Sequence, residues 1–81
     1  METRVAVISV IVEDEDAVNR VNELLHAYAN HIIGRMGIPY RAKRVSLICV
    51  AMDAPGDVIN ALTGALGRIA GVTAKAAYAR V

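Results

Sequence analysis

Residues 4–12, Arg-Val-Ala-Val-Ile-Ser-Val-Ile-Val, divide into two alternating sets, Val5, Val7, Ser9, Ile11 and Ala6, Ile8, Val10, Val12. β-branched residues dominate both, which predicts a strand. Both sets are apolar, so both faces of the strand are expected to be covered in the native assembly. From residue 15 the period changes. Ala17, Val18, Val21, Leu24, Leu25 and Tyr28 fall at helical spacing, with Glu15, Asn19, Asn22, Glu23 and His26 on the other face. This predicts a helix over 15–29, with Asp14 or Asp16 at its N-terminus, where acids are favoured.

Residues 31–38 predict a second strand, loosened by Gly34 and Gly37 as suits a sheet edge or a bulge, and stopped by Pro39. Residues 40–43 make a hairpin connection, and 44–53 a third strand that is mostly apolar on both faces. Asp53-Ala54-Pro55-Gly56-Asp57 signals a helix start, with Asp53 and Asp57 as its acids. Val58, Ile59, Leu62, Leu66 and Ile69 form the buried stripe, Gly71 closes the helix, and 72–80 give the last strand. The order β-α-β-β-α-β is that of an α+β, ferredoxin-like split β-α-β domain over residues 1–81. Its antiparallel sheet is expected in the order 4-1-3-2 with both helices on one face.

Eighty-one residues make one small domain, and 56% of them are hydrophobic. Helices cover one side of a four-stranded sheet and nothing in the chain covers the other. The aliphatic excess therefore implies self-association, as a dimer or tetramer. A single cysteine, Cys49, excludes an internal disulfide framework or a Cys-based zinc finger within one chain. Cys49 sits in an apolar run and is expected to be a buried thiol. No apolar stretch reaches the ~20 residues of a membrane span. The start, Met1-Glu2-Thr3-Arg4, lacks the features of a signal peptide, so the chain is expected in the cytoplasm, away from membranes. A net charge of +1 leaves no footprint for direct nucleic-acid binding. The charges are nonetheless segregated. Glu13-Asp14-Glu15-Asp16 and the basic Arg41, Lys43 and Arg44 are expected on one rim of the sheet, as solvated turn charges or as a docking surface.

Two stretches are distinctive: Ile32-Ile33-Gly34-Arg35-Met36-Gly37-Ile38-Pro39-Tyr40-Arg41, and Asp53 through Gly64 followed by Leu66-Gly67-Arg68. With these motifs the chain resembles, from Arg4 to Val81, a family of small regulators of iron-only hydrogenase systems, encoded beside hydrogenase maturation genes in anaerobic bacteria. The resemblance implies an ACT-like domain, similar in fold to the C-terminal domain of the nickel-responsive repressor, and a homo-oligomer. Where that repressor's sensing strand carries a His-x-His pair, this sequence has Met36 and Ile38, and Arg44 opens the third strand. Nickel sensing by that ligand set is not expected. The glycine that many amino-acid-binding ACT domains place after strand one is replaced by Glu13–Asp16, which argues against the usual amino-acid site. No helix-turn-helix or ribbon-helix-helix segment is present.

The best candidate site is Gly34, Arg35, Met36, Gly37, Tyr40 and Arg41. The glycines permit close approach, and Arg35 with Arg41 could hold a carboxylate or phosphate. The plainer reading is an intersubunit contact pinned by Arg35 and Tyr40. A second candidate is Asn60, Thr63 and Gly64, with Gly67, on one face of the second helix. Interior glycines there cost roughly 1 kcal/mol each against alanine, so close packing of another backbone, or a ligand, is expected. His26 and His31 could join a metal site only with a third ligand. The residues name no cofactor and show no nucleophile–base pair or phosphate loop, so no catalysis is expected. The expected function is a homo-oligomeric module that binds a small-molecule effector or a hydrogenase-system protein. The alternatives are an adaptor for a maturation factor and a metal-binding module.

Overall fold

The computed structural model describes residues 2–80; Met1 and Val81 lie outside them. Strand β1 spans Arg4–Val12, helix α1 Val18–Ala27, β2 Ile32–Tyr40, β3 Val45–Ala54, α2 Gly56–Gly67 and β4 Val72–Tyr78. The strands form one antiparallel sheet in the order β2-β3-β1-β4, the expected order read from the other edge. The fold is α+β and ferredoxin-like, with the two apolar-striped helices over one face.

Strand parity sets the core. Ala6, Ile8, Val10 and Val12 of β1 and Ile48, Val50, Met52 and Ala54 of β3 face the helices and are buried. Val21 and Leu25 of α1 and Ile59, Leu62 and Leu66 of α2 close over them. Each of the Val, Ile, Leu and Met side chains among them contributes about 1.5–3 kcal/mol by leaving water, so the sandwich interior dominates the fold's energetics.

The boundaries differ from the sequence expectation at several informative places. The first helix is split. A 3-10 turn over Glu15–Ala17 leads into α1, and a second over Ala29–His31 follows it. Asp14 is the cap, its Oδ1 accepting from the Asp16 N–H at 2.9 Å. Pro39 does not stop β2, which runs on to Tyr40 with Pro39 opposite Ser46. The reason is position: β2 is an edge strand, where the missing N–H can face the free side. A 3-10 turn over Arg41–Lys43 and a left-handed Arg44, φ 54°, then lead into β3. Asp53 is a β3 residue paired with Val5, and Pro55 is the cap of α2. Gly71 does not close α2, which ends at Gly67 with Arg68 as its cap. It lies in the following turn at φ +80°, where its carbonyl accepts from the Glu13 N–H at 2.7 Å.

Candidate functional site

Strand β2 is out of simple register. Ile32 faces Met52, but the next pair is Gly34 with Ala51, so Ile33 is an unpaired bulge residue. The consequence is a change of face for everything after it. Arg35 becomes the partner of Val50, a helix-side residue, whereas an unbroken ladder would place it opposite Cys49 on the other side. Met36, Ile38 and Tyr40 turn the opposite way, onto the face without helices. The glycine-rich composition suggested an edge or a bulge, and both are present.

Turned toward α1, Arg35 donates from Nη2 to Asn22 Oδ1 at 2.6 Å. Asn22 and His26 stand one helical turn apart and share a face of α1. With Arg35 they line a cleft of about 300 Å³ between α1 and β2, over a floor that includes Leu25 and Ile32. Arg41 takes no part: it lies in the turn beyond Tyr40, about 20 Å along the chain at strand rise. The expected Arg35–Arg41 pair is therefore not brought together. Asn22 and His26 are its replacements. The sequence placed both on the polar face of α1, but only the bulge carries Arg35 to them.

The face opposite the helices is apolar and bare. Cross-strand rows run Gly34–Ala51–Val7–Ala77, Met36–Cys49–Ser9–Lys75 and Ile38–Leu47–Ile11–Thr73. Met36 is 62% exposed, Ile38 50%, and Ile11 and Leu47 42% each. A hollow of about 210 Å³ lies at the middle of this surface, bounded by Ser9, Ile11, Met36, Leu47 and Cys49. Thr73 and Lys75 keep the β4 flank polar, so the greasy area is centred on β1, β3 and β2. Cys49, expected to be buried, is exposed here. Odd-numbered residues of β3 point away from the helices, and a run that is apolar on both sides does not say which side a given residue takes.

The α2 candidates are engaged within the chain. Asn60 Oδ1 accepts from the Tyr78 hydroxyl at 2.7 Å, and Thr63 Oγ1 donates to the Ile59 carbonyl at 2.7 Å. The ring of Tyr78 also carries the Arg4 guanidinium, 4.1 Å from its centroid. A Cβ at Gly64 would meet only the Arg68 guanidinium, at 3.6 Å, and one at Gly67 would meet nothing within 4 Å. Among the described residues, no backbone from another element lies within 4 Å of a Cβ at either glycine. A wider depression of about 740 Å³ runs between the helices, with Arg20, Glu23, Leu24, Arg68 and Ile69 on its walls. At the rim, Glu13, Asp14, Glu15 and Asp16 do share a depression with Arg44. His26 is exposed and His31 half-buried. Among the described residues no three His, Cys, Asp or Glu side chains gather where they could hold one metal ion. Among the described residues no helix is long and apolar enough to cross a membrane.

A ferredoxin-like α+β domain with a bare apolar sheet face and a bulged edge strand defines the class. Residues 4–76 match the family described as "Iron-only hydrogenase system regulator, putative", the TM1266-like family, and the chain belongs to it. Among solved structures it is similar to "uncharacterized protein TM1266 from Thermotoga maritima", with 35% identity and a TM-score of 0.93, covering 98% of this chain and 100% of that one. No curated protein matches the chain.

Proposed function

We propose that this chain is a non-catalytic, ACT-like regulatory module of an iron-only hydrogenase system, working as a homo-oligomer in the cytoplasm. A second copy covers the open sheet face, and binding of an effector or a protein partner shifts the arrangement of subunits. Family membership supports the regulatory role. The observation that carries the oligomer is the exposure of Ile11, Met36, Ile38 and Leu47 together on the helix-free side of the sheet.

The area supports this reading. Strands of nine, nine, ten and seven residues, about 4.8 Å apart at about 3.4 Å per residue, make a flat footprint of about 570 Å². Side-chain relief brings two such faces to the lower end of the ~1,200–2,000 Å² buried by specific interfaces. Sedimentation velocity tests it. Wild type is expected as a dimer or larger at micromolar concentration, and Leu47→Asp as a folded monomer, because an isologous interface places the unpaired charge on both sides. A folded wild-type monomer at that concentration overturns the proposal.

The second reading, an adaptor for a hydrogenase maturation protein, is favoured by the Glu13–Asp16 acids that share a depression with Arg44. Salt-sensitive capture of such a protein, abolished by reversing those acids, distinguishes it.

A further inference from the structure

The bulge at Ile33 delivers a guanidinium to a cleft that supplies it no carboxylate. Among the described residues, the hydrogen bond of Arg35 goes to Asn22 Oδ1, a neutral acceptor, which leaves its charge uncompensated. The residues lining the cleft are Asn22, Leu25, His26, Ala29, Ile32 and Arg35. None is acidic. Glu23, next to Asn22 in sequence, lines the interhelical depression instead. With Asn22 Oδ1 occupied, the amide presents its Nδ2 hydrogens, and the His26 ring adds an N–H. The polar side chains on this cleft can therefore offer several donors and one fixed positive charge. The floor is aliphatic, through Leu25 and Ile32.

We propose that the α1–β2 cleft binds a small organic acid, with Arg35 taking the carboxylate, Asn22 and His26 assisting, and a short aliphatic body lying on Leu25 and Ile32. A guanidinium fork matches a carboxylate in two parallel hydrogen bonds. The volume of about 300 Å³ limits the ligand to a compact metabolite, since it stands at the low end of the ~300–1,000 Å³ range of ligand pockets. The bulge then has a ligand-directed consequence. It places the anion-binding group on the helix side of β2 while Met36 and Ile38 remain on the open face. The assignment rests on the reading of this chain as an effector-responsive module, but not on how its copies pair.

The test is a ¹H–¹⁵N NMR titration of the full chain with acetate, butyrate, butanol and inorganic phosphate, with sedimentation measured on the same samples. Butyrate is expected to shift the Asn22 side-chain amide and the backbone amides of His26 and Arg35. It should bind about tenfold tighter than acetate, through two further methylenes on the aliphatic floor. Arg35→Gln should weaken butyrate at least tenfold while keeping the wild-type melting temperature and sedimentation coefficient. Arg35→Lys should recover part of the loss, because it restores the charge without the fork. Butanol should leave these resonances unmoved. Butyrate shifts that persist unchanged in Arg35→Gln, or that map away from the cleft, overturn the proposal. Phosphate binding tighter than butyrate also overturns it. An oligomer of wild-type size that does not bind butyrate refutes the cleft and leaves subunit pairing intact. A monomer that binds butyrate does the reverse.

Discussion

Gly71→Ala attacks the junction that ties both β-α-β halves together. Gly71 has φ +80°, and a Cβ built there would lie 2.6 Å from Asp14 Cβ and 3.3 Å from Asp14 N. A left-handed conformation costs a non-glycine residue about 1–2 kcal/mol. The clash adds to this, because Asp14 Cβ cannot move without its backbone. That backbone is held by the Ala17 N–H donating to Asp14 O at 2.9 Å and by the neighbouring Glu13 N–H on Gly71 O at 2.7 Å. Moving Asp14 also disturbs its capping bond to Asp16, and losing such a cap costs about 0.5–2 kcal/mol. Strain and clash together give about 2–4 kcal/mol, taking the clash as equal to the strain, and any loss of the cap adds to this. At about 4–8 °C per kcal/mol for a domain of this size, the melting temperature should fall roughly 8–32 °C. Thermal and urea unfolding at matched protein concentration measure it, since association shifts the apparent stability. A double-mutant cycle with Asp14→Gly separates the parts. Removing the Asp14 Cβ should recover the clash and leave the dihedral cost. A loss below about 0.5 kcal/mol, or no coupling in the cycle, would refute the reasoning.

Arg44→Gly should stabilise the fold by up to about 1 kcal/mol, because it relieves a left-handed arginine and gives back part of the gain as unfolded-state entropy. Urea melts check it, and a clear destabilisation would mean that the charge of Arg44 beside Glu13–Asp16 outweighs the backbone strain. Leu62→Ala, at a fully buried position of the helix layer, should cost about 2–5 kcal/mol at every protein concentration. Leu47→Ala, on the open face, should instead cost more as protein concentration rises, because its loss is felt in the association. Parallel denaturation series at two concentrations distinguish the two sites.

Element order and sheet order were legible because the period changes are sharp. The β-branched runs at 4–12 and 44–53 contrast with the 3.6-residue stripe of Val21–Leu25 and of Ile59–Leu62–Leu66. The apolar character of the second face was legible in the same runs, since both parities of β1 and β3 are apolar. What stayed hidden was which face each residue takes. One unpaired residue, Ile33, reverses the parity of β2 and leaves composition untouched. It is the reason Arg35 meets Asn22 and His26 and not Arg41. The orientation of Cys49 was hidden for a related reason. Pro39 misled because its effect depends on whether the strand lies at an edge, a fact of tertiary structure. Gly71 carried a true signal assigned to the wrong role. Its positive φ serves the turn against Asp14, four residues beyond the end of α2.

Cys49 offers the most direct probe of whether that bare surface is shielded by another copy, since it lies mid-sheet between Met36 and Ser9. Its alkylation rate should be followed across a dilution series from high micromolar to nanomolar. If copies cover each other there, the thiol should react like a free one when dilute and at least about tenfold more slowly when concentrated, as mass action fills the paired state. A rate that is the same at every concentration, and equal to that of the Leu47→Asp monomer, would show the sheet wet in a lone subunit and contradict the proposed assembly.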